Sequence, residues 1–187
     1  AGDIFFKKIA YTNQNSTYAF ENFNVNSEFD KDIRKVTIDS PDIIEGTVTG
    51  RFHFDEVIDI VQNSVGSIYA NYRPIKVLPN QYLTFNFKIY NKIVDVFLPE
   101  VELSKNTWLR GSIIGDENKF KMTFKTPEII AYGNKIENVE LQIDNKNPVF
   151  NTYIEIADVT TKWYNARDFN LINITLNDTL FFKTEFK

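Results

Sequence analysis

Hydrophobic and polar residues alternate along most of this chain with a period of two. The clearest run lies between Lys119 and Ile143. Phe120, Met122 and Phe124 point one way, and Lys119, Lys121, Thr123 and Lys125 the other. That period is what a β-strand with one wet face needs. Pro127 has no N–H to donate and is expected to end the ladder. Ile129-Ile130 and Val139, Leu141 and Ile143 then resume the pattern, with the turn formers Gly133-Asn134 between them.

Two internal echoes accompany the alternation. Lys35-Val36-Thr37-Ile38-Asp39-Ser40-Pro41-Asp42-Ile43-Ile44 matches the segment from Lys121 to Ile130, 86 residues later, at the same spacing. A second echo joins Glu21-Asn22-Phe23-Asn24-Val25, Glu137-Asn138-Val139-Glu140-Leu141 and Arg167-Asp168-Phe169-Asn170-Leu171. Each is a polar pair followed by apolar, polar, apolar. Such echoes point to a stacked array of strand units.

Read in order, the chain predicts strands over 3–11, 17–29, 33–39 and 43–54, with a turn over Asn13 to Ser16. Gly46 and Gly50 mark bulges or close backbone approach. The period then changes. Val57, Ile58, Val61, Val65 and Ile68 fall at three- and four-residue steps, so a helix is predicted over 55–69 with one sticky face. Asp55 is its expected cap, and Phe54 packs on the first turn. Tyr82 to Tyr90 returns to strand, with Leu83, Phe85, Phe87 and Ile89 on one side. Lys92 to Leu98 reads as one helical turn stopped by Pro99. Strands follow over 107–114, 150–159, 161–164, 169–176 and 180–186, with Asn145 to Pro148 a turn and Asn177-Asp178 a hairpin signal. The sum is about a dozen strands with short links.

Composition supports a mainly β chain able to bury a sizeable core. Of 187 residues, 17 are Phe and 9 Tyr, and 43% are hydrophobic. The net charge of −4 with scattered basic residues argues against nucleic acid as a partner. There is no cysteine, so thiol catalysis, disulfides and cysteine metal sites are excluded. Apolar runs fall far short of the about 18 residues of a spanning helix. The chain reads as one segment, residues 1–187, excised from a longer protein.

Catalytic chemistry is hard to assemble from these residues. His53 is the only histidine and is expected at the surface. Asp55, Glu56 and Asp59 read as first-turn helix charges. Glu100 and Glu102 share a strand face without a partner that would tune them. Asp30, Asp32 and Asp116-Glu117-Asn118 are loop carboxylates that calcium could use, but without EF-hand spacing. The seven glycines are dispersed, so no phosphate loop is present. The expectation is a chain that is not an enzyme and uses no metal or cofactor.

The apolar stripe is the informative feature. Leu83, Phe85, Phe87, Ile89, Phe120, Met122, Phe124, Val139, Leu141 and Ile143 must meet an opposing wall, a helix or a lipid. Leaving each such side chain wet forgoes about 1.5–3 kcal/mol of burial. A closed sandwich core and an open groove are both compatible with alternation alone. The repeat favours the extensible form.

Several stretches resemble a known family. They are Phe54-Asp55 through the helix to Tyr72, Asn80 to Phe87, Leu98 to Leu103, Asp144 to Pro148 and, above all, Asn173 to Phe186. Together they resemble the periplasmic part of the TamB family in its Bacteroidetes-type form, which belongs with the AsmA-like and bridge-like lipid-transfer proteins. The resemblance implies an elongated, curled antiparallel sheet, open as a U-shaped taco with an apolar interior. It also implies phospholipid transport across the periplasm, an inner-membrane anchor outside this segment, and work with an Omp85-type outer-membrane barrel in protein translocation and assembly. The ten stripe residues would then contact acyl chains. At about 4.8 Å per strand, a dozen strands make a trough of roughly 50–60 Å. The first and last strands, near Phe5 and Phe182, would be raw edges prone to edge-to-edge self-association.

The alternative is a secreted or surface β-sandwich binding module that recognises glycan or protein. It predicts a closed core and exposed loop aromatics, whereas Trp108 and Trp163 are expected to pack within strands. A lipocalin-type barrel is a further alternative and should close on itself. Asn15-Ser16-Thr17, Asn173-Ile174-Thr175 and Asn177-Asp178-Thr179 fit the eukaryotic sequon, and Asp178-Thr179-Leu180 resembles a Bacteroidetes O-glycosylation pattern.

Overall fold

The computed structural model describes residues 1–12 and 17–187. The expected turn over 13–16 and the Asn15 sequon therefore lie outside the described residues. The strands are β1 (Gly2–Thr12), β2 (Thr17–Asp30), β3 (Ile33–Ser40), β4 (Ile44–Arg51), β5 (Tyr82–Ile89), β6 (Val101–Leu103), β7 (Thr107–Ile114), β8 (Lys119–Ala131), β9 (Asn134–Asp144), β10 (Thr152–Thr160), β11 (Asn165–Leu176) and β12 (Thr179–Glu185). Two helices interrupt them, α1 (Val57–Gly66) and α2 (Asn91–Phe97). All twelve strands form one antiparallel, curled sheet that does not close into a barrel. Eleven follow one another in chain order, and β6 pairs with β8 off that path. The sandwich and barrel alternatives do not describe this architecture.

Register carries the alternation across the whole sheet. Cα partners place Ile4, Val25, Ile38, Gly46, Phe87, Leu109, Phe124, Leu141, Ile154, Leu171 and Thr184 in one line from β1 to β12. The adjacent line on the opposite face reads Glu45, Lys88, Trp108, Lys125, Glu140 and Glu155. A slip of one residue anywhere would exchange these two sets, so burial of the apolar set fixes the pairing. On the polar face Lys125 meets Glu140 at 2.5 Å and Lys121 meets Asp144 at 2.7 Å. Such half-exposed pairs are each worth only about 0–1 kcal/mol.

Curling crowds the apolar face, and glycine relieves it where large rings lie. A Cβ on Gly111 would stand 2.2 Å from Lys121 O and 2.5 Å from Phe85 Cζ. A Cβ on Gly46 would stand 2.8 Å from Phe87 Cδ1, and its φ of +152° is one that side-chain-bearing residues rarely adopt. The phenyl rings of Phe85 and Phe87 thus occupy space that a neighbouring side chain would otherwise fill.

Two of the three members of the second sequence echo share a backbone cause. Asn138 in β9 and Asp168 in β11 both have φ of 52°, in the left-handed region. The ladder skips the pairs that these residues and Pro127 and Ala157 would make, then resumes in the same register. Beyond the skip the apolar line is Ile129, Ile136, Val159 and Ala166. Ile156 and Val159, three apart, line one pocket together with Phe169 and Ala166. Strict alternation would put them on opposite faces, so the left-handed residue resets the phase. Lys8 in β1, with φ of 52°, makes the same slip opposite Glu21, between the pairs Phe6–Phe23 and Ile9–Phe20. Two consecutive polar residues in a strand are its sequence trace. Pro127 does not end its ladder as expected: β8 runs through it to Ala131, because the slip already leaves its partner unpaired.

The first echo is also structural. Ser40 and Thr126 precede Pro41 and Pro127, and both are buried. They lie on one line through Ile44, Ile89, Thr107 and Val139, with Thr107 Oγ1 donating to Thr126 Oγ1 at 2.7 Å. Each hydroxyl donates to a backbone carbonyl, Ser40 to Asn22 O at 2.7 Å and Thr126 to Glu128 O at 3.0 Å. A hydroxyl satisfied this way sits on an apolar face at little cost.

Helix α1 is shorter than the predicted 55–69. A 3-10 turn over Phe54–Glu56 precedes it, and Asp55 makes no capping bond. Its buried side carries Ile60, Asn63 and Ser64, whereas Ile58 is 75% exposed and Val65 also faces outward. The packing face is therefore partly polar, and its polar groups are used. Asn63 donates to Ile75 O and accepts from Tyr72 Oη and Ile75 N, all at 2.8–2.9 Å, which folds the following segment back on the helix. Asn145 accepts from Phe120 N at 2.8 Å and donates to Asn118 O at 2.6 Å and to Ser64 O. That one amide ties α1 to β8 and to the β7–β8 turn. Asp178, at the β11–β12 turn, accepts from Ala70 N at 2.6 Å and from Asn71 Nδ2 at 2.9 Å. Helix and tail thus follow one end of the strands from β5 to β12.

Asn177 and Asp178 form the expected hairpin turn with φ of 48° and 59°. The β8–β9 turn is Tyr132-Gly133, one residue before the expected pair. Thr161 to Tyr164 is a turn and not a strand, and Trp163 within it is 82% exposed, against the expectation that it packs. Of the remaining sequons, Asn173 is buried in β11, and Asn177 lies in the exposed turn with Asp178 engaged as above.

Replacing Asn145 with Ala should destabilise the fold by about 2–4 kcal/mol, because several buried groups lose their partner at once. Asn147→Ala, which loses one bond to Val149 N, should cost under about 1 kcal/mol by the same urea-denaturation measurement. Strands β1 and β12 have no outer partner and expose Ile4, Phe5, Phe6, Phe181 and Phe182. The polypeptide of residues 1–187 should therefore self-associate with rising concentration; a single monomeric species throughout sedimentation would contradict this.

Candidate functional site

All ten stripe residues lie on the same face of the sheet. Leu83, Phe85, Phe87 and Ile89 come from β5; Phe120, Met122 and Phe124 from β8; Val139, Leu141 and Ile143 from β9. Cross-strand pairing brings Phe124 to Leu141 and Met122 to Ile143, and Leu109 of β7 joins Phe87 to Phe124. Their surroundings differ along the strands. Leu83 and Phe120 are buried in a cluster with Val36, Phe52, Ile60 and Ile113, which α1 covers. Phe85, Met122 and Ile143 pack against the edge of that cluster. Phe87, Ile89, Phe124 and Leu141 lie farther from the helix and are half-buried, and Val139 is buried.

Between α1 and the sheet is an open cleft of about 390 Å³. Its floor is Val48, Leu83, Phe85, Phe87, Leu109, Ile113 and Phe120; Phe52, Phe54, Val57, Ile58 and Val61 form the other wall. A second apolar hollow of about 300 Å³ lies toward the far edge, lined by Ile156, Val159, Tyr164, Ala166, Phe169 and Phe186. The apolar face is thus a trough with one end of its strands roofed by a helix. Among the described residues no second sheet stands against it, since every strand belongs to the one sheet.

Sequence reasoning missed part of this wall. Leu109 and Ile113 share their strand phase with Thr107 and Gly111, so the signal was diluted by small residues. Val25, Ile38, Ile154 and Leu171 continue the line on other strands, and Val48 lies on the next line of the same face, between Val36 and Phe85. The contribution of Phe52, Phe54 and Val57 depends on how α1 docks, which no periodicity reports.

Ionisable groups with displaced equilibria lie off the trough. Lys88 and Lys135 are held above their usual value, first by hydrogen bonds to Tyr90 and to Glu137 respectively. The Tyr153 phenol is raised, first by burial and then by Glu155. His53 is exposed, and its backbone N–H donates to Gln81 Oε1 at 2.8 Å. Among the described residues no group of three or more histidine, cysteine, aspartate or glutamate side chains is placed to hold a metal ion. The trough offers burial for apolar matter.

The two zones should respond differently to truncation. Phe120→Ala, beneath the helix, should cost about 3–5 kcal/mol in chemical denaturation. Phe87→Ala, half-buried in the open zone, should cost about 1–2 kcal/mol, since part of its surface is already wet. Equal losses would mean that both belong to one closed core.

Comparison with protein-family models, with curated proteins and with solved structures found no match.

Proposed function

We propose that this chain is a segment of a periplasm-spanning protein of the TamB type that conducts phospholipid acyl chains along its apolar trough. The observation that carries the reading is the line of nine apolar side chains, interrupted by Gly46, held in register from β1 to β11 of an open sheet. Each methylene moved from water onto such a wall gains about 0.8 kcal/mol. From Phe87 to Leu171 the line is entirely apolar, so an acyl chain on it gains burial at each strand without a directional contact to hold it. Headgroups would stay at the lip, beside the charged residues of the turns.

The resemblance places the conduit between inner and outer membranes, with the anchor and the Omp85-type partner barrel supplied from outside these residues. No helix among the described residues is long and apolar enough to cross a membrane. Leu83 and Phe120, buried at the floor of the cleft beneath α1, would support the trough, and Phe85, Phe87, Phe124 and Leu141 would touch cargo. The exposed Trp163 favours a second reading, in which the strand ends recognise a protein or glycan partner.

A photo-crosslinking residue at Phe87, and separately at Lys88, in the intact protein in cells should separate these readings. Phospholipid attached at Phe87 and absent at Lys88 is the expected result, because the two side chains occupy opposite faces. Crosslinks only to protein at Phe87 would overturn the conduit and leave the binding module.

A further inference from the structure

Arg34 brings a cation to the trough face. Arg34 of β3 pairs with Phe29 and Gly50, and Gly50 pairs with Leu83, which puts the arginine side chain in phase with the cleft floor. Its guanidinium carbon lies 4.7 Å from the Phe29 ring centre, 5.6 Å from Phe52 and 4.5 Å from Phe54. Phe52 and Phe54 are also walls of the cleft. The arginine Nε is buried and has no hydrogen-bond partner. Among the described residues Arg34 enters no salt bridge, while the nearby Arg51 is paired with Asp32. Glu56, on the turn into α1, is engaged with Gln81 Nε2 at 2.5 Å and Leu78 N at 3.1 Å.

Arg34 is half-buried, and a guanidinium N–H held out of water without a partner is costly. Three aromatic faces offset part of that cost. They do not use the planar fork of donors, which matches a carboxylate or phosphate in two-pronged fashion. A cleft of about 390 Å³ is at the small end of ligand-binding cavities, which suits one alkyl chain better than two. We infer that the cleft under α1 binds a single-chain anionic amphiphile, with the alkyl chain between helix and sheet and the anionic head on Arg34. This site would hold its ligand, unlike the rest of the trough. The inference rests on the conduit reading to the extent that it takes amphiphiles as the cargo.

Calorimetric titration of the purified chain with hexadecanoate, hexadecyl phosphate and hexadecanol tests it. Both anions should bind at about one per chain and at least tenfold more tightly than the alcohol, the size of a charged hydrogen-bonded contact. The two anions against each other tell whether a carboxylate or a phosphate head is preferred. Arg34→Gln should lose that tenfold margin and bind hexadecanol as before; Arg34→Lys should keep part of it. If Arg34→Gln fails to fold by circular dichroism, the wild-type preference for anion over alcohol and the lysine variant decide. Equal affinity of the wild type for all three, no binding of any, or unchanged anion affinity in folded Arg34→Gln would overturn the site. Those outcomes leave the conduit standing if Phe87 still crosslinks phospholipid. An Arg34-dependent anion site without lipid at Phe87 would sink the conduit and keep the site.

Discussion

Everything in this molecule depends on a single sheet with one apolar face and, among the described residues, no second sheet to bury it. A sandwich solves that problem with two faces. Here the sheet curls on itself and recruits one short helix. Curling makes neighbouring side chains converge, which is why Gly46 and Gly111 stand beside Phe87 and Phe85. It also leaves Phe87, Phe124 and Leu141 only half-covered. A partly wet apolar wall has a standing free-energy incentive to take up apolar matter, and that incentive underlies the functional reading.

A long curled sheet must also bend its strands without losing the distinction between its faces. The left-handed residues Lys8, Asn138 and Asp168 do this at one level of the sheet. Each resets the phase by one residue, so the apolar line continues as Ile129, Ile136, Val159 and Ala166, and Glu128, Glu137 and Asp158 face solvent. Asn and Asp tolerate that backbone region better than most residues. Pro127 falls where a ladder donor is not needed, so a residue that breaks most strands is harmless there.

Polar groups at the helix determine where the roof sits. A helix whose one buried apolar residue is Ile60 gains little from apolar contact alone. Asn63, Asn145 and Asp178 supply directional bonds that apolar packing lacks, from the helix to its own tail, to β8 and to the last hairpin. The helix therefore covers one end of the strands, and the rest of the trough stays open. That division makes Leu83 and Phe120 structural and leaves Phe87 and Leu141 accessible.

Much of this could be read from the residues alone. A period of two in 82–90, 119–125 and 139–143 is a local steric property, so these strands and the ten apolar positions on them were legible. The change of period near Val57 likewise marked the helix. The double polar pairs were visible as an echo, but their meaning lay in a φ angle that sequence does not state. Which apolar residues are buried, which are open, and that the Arg34 guanidinium lies against Phe52 and Phe54 at the cleft wall were decided only by tertiary structure. Those properties depend on residues far apart in the chain, Arg34 with Phe54 and Asn145 with Ser64, whose contact follows from the curl of the sheet and the docking of α1.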